Sequence, residues 1–166
     1  MQFTSNELYD LINRPGPLWL PYANLHKANL SGANLSKADL SHADLSNANL
    51  SYANLSGANL SHASLSDANP SHANLSDANL NHANLSDANL SNANLSSADL
   101  TGADLRGARL QGTYLSGANL READLSKTDL RGAYLNGAYL RGAKYNKATQ
   151  WPDDIDPKKS GALLAP

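Results

Sequence analysis

From Leu25 to Tyr145 a large apolar residue returns at every fifth position, with Pro70 the one interruption. The series has 25 centres, 23 of them Leu, without insertion or deletion. Two residues before each centre stands Ala, replaced only by Thr113 and Thr128. The residue just before the centre is Asn in 13 pentads and Asp in 6, and the residue just after it is Ser in 15. The unit is therefore Ala-(Asn/Asp)-Leu-Ser-X. A period of five suits neither regular element. On an α-helix successive centres step by about 500°, so the leucines spiral round the axis instead of forming a stripe. In a flat strand an odd period sends them to alternate faces. Each pentad must carry its own bend.

Glycine locates that bend. Nine of the 11 glycines, from Gly32 to Gly142, fall in the last column of the pentad, and Asn47 and Asn92 share it. Residues that tolerate positive φ in a single column predict a turn of type II character there. A chain that bends once every five residues coils into a solenoid.

These columns resemble the pentapeptide-repeat family over roughly Ala23 to Ala148. The resemblance implies an all-β fold, a right-handed quadrilateral β-helix with four pentads per coil, in which Leu and Ala point inward and the other three columns outward. The repeats would make about six coils and a rod roughly 30 Å long at the usual strand spacing. Identical residues 20 apart then stack, burying Leu and Ala while backbone groups pair between coils.

The chain reads as one domain over 1–166, with a helix and cap over 1–22, repeats over 23–148 and a cap and tail over 149–166. Thr4 and Glu7 have capping-box spacing, and Leu8, Leu11 and Ile12 make an apolar face, which predicts a short α-helix over Ser5–Asn13. Arg14-Pro15-Gly16-Pro17 stops it, and Leu20 centres a degenerate opening pentad. At the other end Tyr145-Asn146, Thr149, Trp151-Pro152 and Asp156-Pro157 resemble the closing segment of cyanobacterial family members. Trp151, Ile155, Leu163 and Leu164 are expected to cover the last coil. Pro70 either removes one coil-to-coil hydrogen bond or falls where the N–H is unused. Thr113 and Thr128 need a local acceptor if buried.

Composition narrows the function classes. Thirteen Lys and Arg stand against 15 Asp and Glu, a net charge of −2, which lacks the basic excess that nucleic-acid or membrane binding requires. There is no cysteine, hence no disulfide, thiolate nucleophile or zinc-thiolate site. No signal peptide and no membrane span are read, so a cytoplasmic protein is expected. No nucleophile-elbow, Walker, dinucleotide or zinc-protease motif is present. An interior filled by Leu and Ala leaves no cavity in which to desolvate a substrate. The expectation is no enzyme, no cofactor and no metal.

Two surface features invite chemistry. His42, His62 and His82 stack in successive coils with Tyr22 in line, and His72 follows Tyr52 on the opposite corner. A shared divalent ion is conceivable there. A solvated ladder is the simpler reading, because no carboxylate stands ready to orient the rings. Charge is also segregated: residues 38–100 hold six Asp and no Lys or Arg, while residues 101–150 hold eight basic and four acidic residues. Within that basic rear Tyr114 and Tyr134 share one face, Tyr139, Arg121 and Arg141 the next, and Arg131 lies near the first. Tyr and Arg offer rigid contact area and forked hydrogen bonding, which makes this the candidate partner-binding surface.

The sequence thus points to a non-enzymatic scaffold that binds another protein, with a monomer favoured. Some members of the resembled family imitate duplex DNA and bind a type II topoisomerase, gyrase. That requires a strongly acidic rod, whereas this one is dilute in front and basic behind. Ice binding through the Ser column and direct DNA binding rank lower, since the column contains one Thr and the basic excess is modest.

Overall fold

The computed structural model describes residues 5–14 and 16–165. Every pentad turns the chain, and backbone bridges join residues 20 apart in parallel, from Trp19↔Asp39 to Asp124↔Lys144 at a spacing of 20. Four pentads make one coil.

The sequence explains why each position holds the residue it does, because four of the five N–H groups in a pentad have a backbone partner. The Leu25 N–H donates to the Asp44 carbonyl (2.7 Å), the Lys27 N–H to Ser46 (3.0 Å) and the Asp44 N–H back to Ala23 (2.9 Å). The Ala28 N–H closes the turn on the Leu25 carbonyl (2.9 Å). The fifth, on the residue after the centre, is met by the side chain before it: the Ser31 N–H donates to Asn29 Oδ1 and the Ser46 N–H to Asp44 Oδ1. Asn or Asp is favoured there because its side chain bonds the backbone two residues on. Every corner from Tyr22 to Gly142 has positive φ, 55–62° in the non-glycines. That is the conformation position i+2 of a type II turn demands.

The core is one column-built cluster. Leu25 to Leu140 and most of the Ala column are buried, the central ones completely. Thr113 and Thr128 are fully buried, and their hydroxyls donate to the Leu90 (2.8 Å) and Leu105 (2.7 Å) carbonyls. Pro70 occupies a buried centre without the bond that Leu75 makes to Asn94, so the bridge between Asn69 and Asn89 is missing. One coil back the Leu50 bond is 3.0 Å, against 2.7 Å at Leu45 and Leu55.

Helix α1 spans Ser5–Ile12, one residue shorter than predicted. Leu8 is buried, with Leu11 and Ile12 packed on the repeat core. Thr4, and with it the Thr4–Glu7 capping pair, lies outside the described residues, as does Pro15. At the other end the register slips: Asp129 bridges Gln150, 21 residues on, and Thr149 Oγ1 bonds the Leu125 carbonyl as an inward Thr does elsewhere. Trp151 and Ile155 pack on the core. Leu163 and Leu164 do not cover it as expected. They form β2 (Leu163–Leu164), paired in parallel with β1 (Lys144–Tyr145), and stay 57 % and 51 % exposed, while Ala162 takes the inward place.

Candidate partner-binding surface

The predicted residues fall on two adjoining faces of the last coils. Tyr114 and Tyr134 precede centres 115 and 135 and bridge one another, so their rings stack with centroids 5.0 Å apart and planes 9° from parallel. Tyr139 precedes centre 140 on the next face, and the Arg121 guanidinium, from one coil back, lies 4.5 Å from its ring centroid. That is cation–π distance. The three tyrosines remain about half exposed. Glycines at 112, 132, 117 and 137 form the corners on both sides of the Tyr114–Tyr134 face, so no corner side chain screens the rings.

The arginines are not equivalent. Arg131 is held by Asp129 through two bonds, Nε to Oδ1 (3.0 Å) and Nη2 to Oδ2 (2.7 Å). The Arg131 guanidinium is therefore what chiefly holds the Asp129 carboxyl below the usual carboxylate range. Arg106 grips Asp104 in the same way. Arg121 also reaches Asn119 Oδ1 (3.3 Å). Arg141 is exposed, and among the described residues none pairs with its guanidinium. The sequence did not single out Asp129 or Asp104, although the Asp-Leu-Arg spacing, with both ends outward, was the available signal.

The histidine ladder forms as a stack. Ring centroids of Tyr22, His42, His62 and His82 follow one another at 4.8, 4.9 and 5.3 Å, and Tyr52 stacks on His72 at 4.8 Å. Rings lying face to face direct their nitrogen lone pairs side by side. Two nitrogens need to lie about 2.0–2.1 Å from one zinc ion, which this arrangement does not provide. No group of three His, Asp or Glu is placed to hold a metal among the described residues. Trp19 and Tyr22, 78 % and 73 % exposed at the front, are aromatic positions that the sequence reading left out of the candidate set. An open groove of about 540 Å³ beside the end of α1 is lined by Arg14, Asn34, Ser36 and Lys37 among others, and the Ser36 hydroxyl there donates to Asn34 Oδ1 (2.8 Å).

The family model for pentapeptide repeats matches in eight copies across residues 23–61, 53–92, 73–112 and 108–144. Members of that family form right-handed quadrilateral β-helices, the architecture to which the 20-residue coil corresponds. Among solved structures, a pentapeptide repeat protein of the Arabidopsis thaliana thylakoid lumen is 36 % identical with a TM-score of 0.57. The alignment covers 57 % of this chain and 66 % of that one, just under two thirds of the relative's length. HetL, a pentapeptide repeat protein involved in heterocyst differentiation regulation from the cyanobacterium Nostoc sp. strain PCC 7120, is 28 % identical over 99 % of this chain and 80 % of its own, with a TM-score of 0.47. QnrB1, a plasmid-mediated fluoroquinolone resistance protein, is 20 % identical over 90 % and 92 % with a TM-score of 0.53, a likeness of fold. No curated protein matches the sequence. No described helix is long and apolar enough to cross a membrane.

Proposed function

The chain belongs to the pentapeptide-repeat family, and from that premise we propose that it is a non-enzymatic scaffold whose basic, aromatic rear docks another protein. The observation that carries this reading is the half-exposed Tyr114–Tyr134 stack beside the Arg121–Tyr139 pair, flanked by glycine corners. Rigid rings already stacked lose little freedom on binding, and an accessible guanidinium adds directional bonds. Tyr114, Arg121, Arg131, Tyr134, Tyr139 and Arg141 form the proposed contact set, with Arg141 the least committed within the molecule. A rod of about six coils, closed at the front by α1, acting as a cytoplasmic monomer, completes the proposal.

The experiment is an affinity capture from a cyanobacterial lysate with the wild type beside a Tyr134→Ala, Arg141→Ala variant, which should fold normally because both side chains point outward. A protein retained by the wild type and lost by the variant is the expected outcome. The DNA-mimic reading, gyrase binding, has less support here because six carboxylates spread over residues 38–100 are a dilute coat. Inhibition or protection of gyrase supercoiling without any patch-dependent partner would reverse the ranking.

A further inference from the structure

The last coil leaves part of its backbone unpaired beside the tyrosines. One coil back, the N–H groups of Gly112, Leu115, Gly117 and Leu120 donate to the carbonyls of Arg131, Tyr134, Asn136 and Tyr139. The carbonyls of Thr113 and Ala118 accept from Tyr134 and Tyr139. The six groups in register with them have no partner among the described residues: the N–H of Gly132, Leu135, Gly137 and Leu140 donate to none, and the C=O of Ala133 and Ala138 accept from none. The neighbouring sides are closed, one by Gln150 against Asp129 and the other by β2 against β1. The segment that follows Gln150 packs Trp151 and Ile155 on the interior without pairing this edge, and Gly132, Tyr134, Asn136, Gly137 and Tyr139 stay exposed along it.

An unpaired strand edge is a template for another strand, and unmet backbone donors and acceptors favour one. We infer that residues 132–140 form a β-augmentation site that takes an extended acidic segment of a partner protein, bent once at its middle to follow the corner at Gly137. Main-chain bonds to the six free groups would supply affinity, and side chains lying over Tyr134 and Tyr139 would supply selectivity. The acidic character follows from charge: residues 129–166 hold six basic residues (Arg131, Arg141, Lys144, Lys147, Lys158 and Lys159) against Asp129, Asp153, Asp154 and Asp156, and with Arg131 paired to Asp129 the excess lies on Arg141 and the lysines. Arg131 and the unpaired Arg141 bracket the edge. At the front the N–H groups of Asn24, Asn29 and Asn34 likewise have no backbone acceptor among the described residues, but that end lacks the charge, with Arg14, Lys27 and Lys37 against Glu7 and Asp10 up to residue 37.

This inference rests on the rear being a protein-binding surface, and the two can be tested apart. The probe is a peptide about ten residues long, alternating Glu and Val with a central Pro-Gly pair to give the type II corner, added to the full-length protein labelled with nitrogen-15. Hydrogen exchange at Gly132, Leu135, Gly137 and Leu140 should be fast in the free protein and slowed by the peptide. Arg141→Glu should weaken binding about tenfold, and the same peptide with Lys for Glu should fail to protect. No protection with peptide up to about 1 mM, or equal protection at Asn24, Asn29 and Asn34, would overturn the assignment. Protection that instead follows protein concentration would overturn it in favour of a second copy. Tyr114→Ala with Arg121→Ala, both a coil away from the edge, reports on the broader reading: loss of lysate capture there with edge protection intact separates the two.

Discussion

The front and rear of the rod share one interior and wear different coats. From 37 to 97 the corners are Lys, His, Asn, Tyr, Asp and Ser with a single glycine, Gly57, while from 102 to 142 they are glycine except for Glu122 and Lys127. A left-handed residue with a side chain costs on the order of 1 kcal/mol or more. The front lowers that cost by its choice of residues. His, Asn and Asp are the types that best tolerate positive φ, and its rings stack at 4.8–5.3 Å. Its faces carry Asn ladders, such as Asn49 Nδ2 to Asn29 Oδ1 (3.2 Å). The rear moves its rings from corner to face, where Tyr114, Tyr134 and Tyr139 stand between bare glycines. Geometry common to both regions thus comes from the inward columns, and what differs is what each region offers a partner.

If the interior is indifferent to the coat, a charge buried in either half should have the same consequence. Leu80→Asp in front and Leu120→Asp behind each place a carboxylate at a fully buried centre. Each should cost more than about 4 kcal/mol and abolish cooperative unfolding followed by circular dichroism. A rear variant that kept its folded signal while the front variant lost it would break the comparison.

Pro70 is the front's own defect, and Pro70→Leu should repair it. Leu restores the donor to the Asn89 carbonyl and matches its buried neighbours Leu50 and Leu90. A gain of about 1–2 kcal/mol in chemical denaturation is expected. No gain would mean that the surrounding pentads have already relaxed around the proline.

Corner chemistry supplies the sharpest contrast. Asp77→Gly removes the side chain from a residue at φ 58° and should stabilise by about 0.5–1 kcal/mol. His62→Gly relieves the same φ but deletes ring contacts at 4.9 and 5.3 Å, so it should gain little or lose stability. Equal gains at the two sites would show that the histidine stack contributes nothing.

How much of this could be read beforehand follows the same division. The corner column, the inward Leu and Ala and the 20-residue stacking of His42, His62 and His82 depend only on strict periodicity, so residue numbers alone place them. The coupling of Asp129 to Arg131 depends on a rotamer choice at one outward position, which periodicity does not encode. The slip at Asn146–Gln150 arises where the repeat stops, and there Thr149, one residue past the expected Ala148, takes the inward place because its hydroxyl can reach Leu125. Leu163 and Leu164 looked like a lid by composition. Their backbone pairing with Lys144 and Tyr145 turns them outward instead.

Acid should separate the regions least. Asp39 and Asp44 in front are held low chiefly by the hydroxyls of Ser41 and Ser46, and Asp104 and Asp129 behind chiefly by the guanidiniums of Arg106 and Arg131. Burial acts first on Asp99 and would raise it, but the Thr101 hydroxyl and N–H, with Asn81 and Asn119, leave it lowered as well. A carboxylate whose folded pKa is depressed contributes stability that is present above its unfolded value, near 3.9, and lost as pH falls through the folded one. The stability that these carboxylates supply should therefore be level down to about pH 5 and decline below about pH 4. These groups are largely solvated, so each contributes less than about 1 kcal/mol. Asp104→Asn with Asp129→Asn should flatten part of the decline; added salt should do the same in the wild type and little more in the variant, because the rear pairs are ionic whereas the front bonds to serine are not. A salt response kept by the Asp104→Asn, Asp129→Asn variant and lost by the Asp39→Asn, Asp44→Asn variant would place the ionic contribution in the front instead.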